Sequence, residues 1–107
     1  MPKILVLDDD QNIRDMLVIM LTREGYDVQA YGDPFKAMQG LRKEPFDLII
    51  TDLKMPRMDG LEFLQRAKKI APETVVILIT SYASGETAVA AMKEGAFDYI
   101  ENDFRIE

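Results

Sequence analysis

The sequence predicts an α/β domain with a doubly wound parallel sheet, and three observations support this prediction. Apolar runs rich in Val, Ile and Leu alternate with helix-periodic segments from one end of the chain to the other. The resulting order, βαβαβαβαβ, is typical of parallel sheets with helical crossovers. The length of 107 residues fits one domain, and no repeat, linker or low-complexity segment interrupts it. We therefore expect one domain over residues 1–107.

Five short apolar runs are the predicted strands. The first has the composition of a buried strand, and the second is weaker. The runs lie at residues 3–7, 27–31, 46–50, 74–79 and 96–100.

The first predicted helix has apolar residues spaced i, i+3, i+4, i+7, i+8, and it ends at Gly25. The residues with this spacing are Ile13, Met16, Leu17, Met20 and Leu21. The methionines expected to fill the core are Met16, Met20, Met38 and Met92.

The second predicted helix begins at Pro34, because Asp33 can cap it and proline suits a first helical turn. We expect Phe35, Met38 and Leu41 on its inner side.

Two more helices follow. Pro72 ends the third helix, predicted at residues 61–71. Gly95 ends the fourth, predicted at residues 86–94.

A strand order of 2-1-3-4-5, the flavodoxin-like winding, is the expected topology. Right-handed crossovers then place helix one on one face of the sheet and the other three helices on the opposite face. The stretch "ENDFRIE" (101–107) is too short for a covering helix, so the last helix of the fold is expected to be absent. Half of the sheet face that carries helix one would then be left bare, although a parallel sheet needs both faces covered. One explanation is a shortened chain, and the other is a partner or an exchanged segment that covers this open face.

The composition excludes several classes of function. A net charge of -6 and a pI near 4.6 argue against a basic nucleic-acid-binding face. The chain has no cysteine and no histidine, so disulfides, thiolate sites and a phosphohistidine of its own are excluded. Its apolar runs are too short for a membrane span and its N-terminus lacks a signal-peptide pattern, so we expect a cytoplasmic protein.

An acidic cluster follows the first strand. Like charges about 4 Å apart repel by about 4 kcal/mol at an effective dielectric near 20, so Asp8, Asp9 and Asp10 need a stabilising partner. Asp52 follows strand three, a neighbour of strand one in the expected sheet, so Asp8, Asp9 and Asp52 should converge. Three carboxylates suit Mg²⁺, and Asp10 can cap helix one. The alternative is that these acids are ordinary turn residues and caps.

Several motifs together resemble the receiver domain of two-component response regulators over residues 1–101. They are "ILVLDDD", "DLIITDLKMPRMDG", "LIT" and "GAFDYI", in the order and spacing of that family. The stretch "SYASGETAVAAMKEGAFDYI" is most similar to receivers of enhancer-binding transcriptional activators.

The resemblance implies that Asp52 accepts a phosphoryl group from a histidine kinase or phosphotransfer protein. It also implies that Asp8 and Asp9 hold Mg²⁺ together with Asp52 and the main-chain carbonyl of Lys54. The domain would then be a phosphoacceptor rather than an enzyme, which at most assists its own phosphorylation and dephosphorylation.

The same resemblance assigns the remaining site residues. The Ser81 amide would donate to a phosphoryl oxygen, the Thr80 hydroxyl would move towards another, and Tyr99 would turn inward. Pro56 and Gly60 match the loop-shaping residues of the family, and ordinary turn chemistry would give them the same part.

The chain departs from the family at its end. Asn102 stands where the family has a lysine that pairs with the acceptor, and Asp103 replaces a proline that follows a cis peptide. A cis bond without proline costs about 2.5–4 kcal/mol, so the cis turn is not expected. A charged hydrogen bond contributes about 1.5–3 kcal/mol, so loss of the lysine should weaken the active state about tenfold or more.

Three functions compete. The first is the phosphorylation-controlled switch, and the second is a degenerate receiver that acts as a phosphorylation-independent interaction or dimerisation module. An Asp-dependent phosphatase is disfavoured, because Lys54 stands where such enzymes carry a second Asp. We also expect a homodimer that covers the open sheet face by exchange of the C-terminal segment, without direct contact to nucleic acid or membrane.

Overall fold

Parallel pairing of five strands builds the sheet of this protein. The computed structural model describes residues 1–81 and 83–101, so the predictions for Asn102 and Asp103 lie outside the described residues. The strands are β1 (Lys3–Leu7), β2 (Asp27–Tyr31), β3 (Leu48–Asp52), β4 (Val75–Thr80) and β5 (Asp98–Glu101). The helices between them are α1 (Gln11–Arg23), α2 (Pro34–Lys43), α3 (Gly60–Ile70) and α4 (Gly85–Lys93).

The sheet has the order β2-β1-β3-β4-β5 with every neighbouring pair parallel, which confirms the predicted flavodoxin-like winding. The predicted starts of three strands were one or two residues too early. Phe46, Thr74 and Ala96 are buried although they precede the paired strand residues. A residue at these positions can therefore be buried without belonging to a hydrogen-bonded strand. The Thr74 side chain, for example, donates from its hydroxyl to the Phe46 carbonyl at 2.9 Å.

Side-chain caps fix where the helices begin. Asp10 accepts hydrogen bonds from the amides of Asn12 and Ile13 at 2.9 and 3.4 Å, as the sequence predicts for helix one. Asp33 accepts from the Phe35 amide at 2.8 Å. Caps satisfy backbone groups that a helix leaves unpaired, so these acids set the direction in which each loop enters its helix.

The two faces of the sheet are packed differently. Against one face, α2, α3 and α4 build the larger core around buried residues such as Phe63, Leu64 and Leu78. Against the other face, α1 places Leu17 on Ile4 and Val6. In the described part of the chain no other helix packs on this second face, which leaves an open strip. The open strip consists of Val75, Ile77, Ile79 and Ile100.

Three predicted core residues are instead exposed. Phe35 lies in the first turn of α2 and is 37% exposed, although the Arg57 guanidinium, 4.6 Å from the centre of its ring, covers part of it. Met20 and Met92 are each about half exposed. The apolar stripe of α1 is wider than the surface that it buries, since Leu17 is the one residue of this helix that is buried. Among the described residues, no helix has the length and apolarity of a membrane span.

Candidate metal and phosphoacceptor site

Three carboxylates meet at the edge of the sheet where the strands end. Asp8 directly follows β1 and Asp52 is the last residue of β3, and these strands are hydrogen-bonded neighbours. One carboxylate oxygen from each of Asp8, Asp9 and Asp52 lies within 4.8 Å of the other two. Asp8 is buried, Asp52 is half-buried and Asp9 is exposed, so the cluster opens to solvent on one side.

The carboxylates line a cleft of about 300 Å³. Its other walls come from the first turn of α1, the loop after β3 and the loop after β4. The lining residues are Asp8, Asp9, Asp10, Ile13, Asp52, Lys54 and Ser81. The cleft is large enough for a cation with several waters beside a small anionic group.

Burial and mutual repulsion make two of the acids poor anions in the absence of a cation. Burial, followed by the charge of Asp8, raises the pKa of Asp52 to about 7. Burial is also the main reason why the pKa of Asp8 rises to about 6, and the charges of Asp9 and Asp10 add to it. A bound cation would offset the repulsion and favour both carboxylates.

Main-chain amides orient the same two carboxylates. Asp8 Oδ1 accepts from the Asp10 amide at 2.9 Å, and Asp52 Oδ1 accepts from the Leu53 amide at 2.8 Å. These bonds favour the ionised form and lower each pKa, but by less than burial raises it. Each acid is therefore held in a defined direction by its own turn.

Gly60 allows the loop after β3 to close against Asp52. Its amide donates to the Leu53 carbonyl at 2.7 Å. A Cβ atom at Gly60 would lie 2.3 Å from the Asp52 carbonyl oxygen and 2.9 Å from Leu53 Cα. In the same loop, the Met58 amide donates to the Pro56 carbonyl at 2.9 Å, so both predicted loop-shaping residues take part in the turn.

The residues predicted to respond to phosphorylation lie on β4 and β5. Thr80 ends β4 and is buried, and Ser81 follows it on the rim of the cleft. Tyr99 on β5 is half-buried and packs against the larger core. Its hydroxyl shares a 2.6 Å hydrogen bond with the Thr87 hydroxyl in the first turn of α4.

Two contacts of the site were not predicted from the sequence. Thr87 bonds to Tyr99, and Arg14 Nη1 donates to the Asp8 carbonyl at 2.8 Å. The contact of Arg14 could have been predicted, because Arg14 lies one turn into helix one and long side chains in a helix point back towards its N-terminus, where Asp8 lies. Thr87 has no comparable signal, since its partner lies 12 residues away.

Comparison with known sequences places this architecture in a family. Residues 4–107 match the family model "Response regulator receiver domain". Response regulator protein PilR of Pseudomonas aeruginosa is 40% identical over 98 residues, which is 92% of this chain and 22% of PilR. The chain thus spans about a fifth of the length of the curated relatives that it matches.

Solved structures agree. A response regulator from Burkholderia pseudomallei, solved with a phosphorylated aspartic acid, a calcium ion and citrate, superposes with a TM-score of 0.92 at 30% identity. The match covers 98% of this chain and 62% of that one. The beryllofluoride-activated NtrC4 receiver domain dimer matches with a TM-score of 0.91 at 35% identity, covering 98% and 87% of the two chains. This chain therefore belongs to the receiver domain family of two-component response regulators, and its relatives include the receivers of enhancer-binding transcription activators.

Proposed function

We propose that this chain is a phosphorylation-controlled switch in which Asp52 accepts a phosphoryl group from a partner's phosphohistidine. The observation that carries the proposal is the convergence of Asp8, Asp9 and Asp52 at one cleft. The chain has no histidine, so the donor is a histidine kinase or phosphotransfer protein. An Asp52 oxygen forms a bond to phosphorus as the phosphorus–nitrogen bond breaks, and that electron pair stays on the imidazole nitrogen.

Mg²⁺ is the cofactor that the site supports best. Carboxylate and carbonyl oxygens are ligands that Mg²⁺ prefers, and Asp8, Asp9, Asp52 and the main-chain carbonyl of Lys54 would hold it. When bound, the cation supplies charge neutralisation for the acceptor and the phosphoryl oxygens. The raised pKa values of Asp8 and Asp52 support this assignment, because two acids that repel each other gain most from a cation.

Thr80, Ser81 and Tyr99 would convert the modification into a change of shape. The Ser81 amide donates to one phosphoryl oxygen and the Thr80 hydroxyl to another, and Tyr99 turns inward to fill the vacated space. The place of Ser81 on the cleft rim and of Thr80 at the end of the strand beside β3 supports these parts. The added charge thereby biases two arrangements of β4, β5 and α4.

Acetyl phosphate, a small phosphodonor, provides the test. We expect intact mass to show a gain of one phosphoryl group that requires Mg²⁺ and is absent from an Asp52→Asn variant. Asp47→Asn, at the opposite end of β3, is the matched control and should keep the gain. A gain confined to an Asn102→Lys variant would show a working pocket silenced by Asn102. No gain in any of these proteins would contradict the proposal.

A phosphorylation-independent dimerisation module is the second candidate. The open strip favours it, because an apolar sheet face gains stability when a second copy covers it. The NtrC4 receiver, which matches this chain, is a dimer in its beryllofluoride-activated form, so it supports association of two receivers but not association without activation. We propose a homodimer formed through this strip, with exchange of C-terminal segments.

Light scattering after size exclusion tests the dimer. A dimeric mass that persists without a phosphodonor and is lost in Ile100→Lys, at a position of the open strip that is 42% exposed, would support it. Ile19→Lys, an exposed position on α1, is the matched control. A monomeric mass at high micromolar concentration would contradict it. The extent of the domain over 1–107, with an atypical end at 101–107, and the cytoplasmic location stay predictions.

A further inference from the structure

We infer that Arg14, seated over Gly32, is a positioning residue that fixes the backbone of Asp8 and thereby prepares the acid cluster for its cation. Within the described part of the chain, Arg14 does not line the cleft and donates no hydrogen bond to a carboxylate, so it acts on the site indirectly. The inference rests on the proposed function, because it concerns affinity for Mg²⁺ at the same site.

The peptide groups on both sides of Asp8 are tied to the neighbouring elements. The Asp8 amide donates to the Tyr31 carbonyl at the end of β2, at 3.1 Å. The Asp8 carbonyl accepts from Arg14 Nη1 at 2.8 Å, in a partly buried contact. Arg14 itself is anchored in the first turn of α1, where its amide donates to the Asp10 carbonyl at 3.0 Å. Arg14 therefore links Asp8 to the helix that Asp10 caps.

Gly32 provides the space that the guanidinium occupies. A Cβ atom at Gly32 would lie 2.6 Å from Arg14 Nη1 and 3.1 Å from Arg14 Cζ, and all three of its nearest atoms belong to Arg14. The φ angle of Gly32 is not in the positive region, so its backbone does not itself require glycine. The absence of a side chain at Gly32 is thus explained by the Arg14 guanidinium.

This geometry makes Gly32→Ala a specific way to displace Arg14. The added methyl group meets the flexible end of one side chain rather than backbone, so the fold can absorb it. The displaced guanidinium can no longer donate to the Asp8 carbonyl at its present position. The turn that carries Asp8 and Asp9 then loses a restraint against the mutual repulsion of the acids.

Electrostatics alone predicts the opposite sign for removal of Arg14. In titrations at pH 8, where the carboxyls of Asp8 and Asp52 are mostly ionised, a positive charge near the cluster opposes a divalent cation, so Arg14→Met would strengthen Mg²⁺ binding there if only charge mattered. A positioning part predicts weaker binding, because groups that orient metal ligands typically contribute about 10–100-fold in metal affinity. The direction of the change therefore separates the two explanations.

The experiment compares Mg²⁺ affinity, by titration of backbone amide NMR shifts, in five proteins. These are the unmodified chain, Gly32→Ala, Arg14→Met, the double variant and Arg14→Lys. We expect Gly32→Ala and Arg14→Met each to weaken binding about tenfold. The double variant should bind no more weakly than Arg14→Met, because the methyl group then has no guanidinium to displace. Arg14→Lys, which keeps a donor, should recover part of the loss.

As a control, the free energy of unfolding of each variant is measured by chemical denaturation without Mg²⁺. A value close to that of the unmodified chain would show that weaker Mg²⁺ binding does not come from general destabilisation. Additive losses in the double variant, or variants that bind Mg²⁺ as well as the unmodified chain does, would overturn the inference alone. If the unmodified chain does not bind Mg²⁺, the proposed function itself is overturned together with this inference.

Discussion

The ionised carboxylate of Asp52 lowers the stability of the folded protein, because it is partly buried and lies beside other acids. Its pKa is about 7 in the folded protein, against 3.8 in an unfolded chain. The folded state therefore binds the proton more tightly than the unfolded state does. The stability that this acid contributes is fully present below pH 3.8 and is lost as the pH rises through about 7.

Asp52→Asn should consequently stabilise the metal-free protein at pH 8. We expect the free energy of unfolding to rise by about 1–2 kcal/mol, a value reduced for the partial exposure of the group. At pH 5 the difference should be smaller, because Asp52 is then protonated in the folded state, and it should vanish only below pH 3.8, where the unfolded chain binds the proton as well. Urea denaturation at the two pH values measures both quantities. Glu73→Gln, an exposed acid, serves as control, and an Asp52→Asn gain that does not depend on pH would contradict the linkage.

The hydroxyl pair of Tyr99 and Thr87 invites a second test at the scale of residues. At 2.6 Å and partly buried, this bond should contribute about 0.5–1.5 kcal/mol to the free energy of unfolding. Tyr99→Phe should lose about that amount, and Thr87→Val should lose more, because the Thr87 hydroxyl also bonds to Ser84. The double variant should lose less than the sum of the two. Additive losses in urea denaturation would show that the bond does not form in solution.

At the scale of elements, the sequence pattern predicted the positions of strands and helices, because these depend on residues that are close together in the sequence. Continuous apolar runs, helical periodicity and capping acids predicted each strand and helix of the described residues, because these signals lie within a few residues of the element itself. The pattern was wrong where burial depends on distant neighbours. Phe35 has the spacing of an inner residue, but it is not among the residues of the larger core and stays 37% exposed. Met20 has the right period on α1, yet that helix packs alone on its face in the described part of the chain.

Gly60 and Gly85 are each the first residue of a helix, but only Gly60 is in close contact with other parts of the chain. Gly60→Ala should destabilise the protein by about 2–3 kcal/mol or more, because the methyl group would meet the Asp52 carbonyl and Leu53 Cα. At Gly85 no atom of the described residues lies within 4 Å of an added Cβ, so Gly85→Ala should change stability by less than about 0.5 kcal/mol. Thermal unfolding compares them. Equal effects would contradict the geometry of the loop after β3.

At the scale of the whole molecule, topology explains why the acid cluster could be predicted and its support could not. The order β2-β1-β3 makes the ends of β1 and β3 neighbours, so Asp8, Asp9 and Asp52 lie at one edge of the sheet, where their carboxylates can converge. Arg14 and Gly32 are in contact only because the Arg14 side chain adopts a conformation that brings its guanidinium from α1 to the loop after β2. Strand order can be inferred from a sequence pattern, whereas such a path depends on packing.

The charge of the whole chain and the raised pKa values together predict how metal affinity depends on pH. Protons compete with Mg²⁺ for Asp8 and Asp52, whose pKa values are about 6 and 7, and the net charge of -6 favours both kinds of cation. Affinity should therefore fall by about tenfold or more from pH 8 to pH 6. Carboxyls with an ordinary pKa near 3.8 would give no change in this range.

Titration of amide NMR shifts with Mg²⁺ at pH 8, 7 and 6, at constant ionic strength, measures this dependence. Asp52→Asn should bind more weakly at pH 8 and lose much of the pH dependence, since only the carboxyl of Asp8 then titrates in the range. Equal affinities of the unmodified chain at pH 8 and pH 6 would show that repulsion and burial do not raise these pKa values. The acidic edge of the sheet would then be an ordinary set of ionised caps.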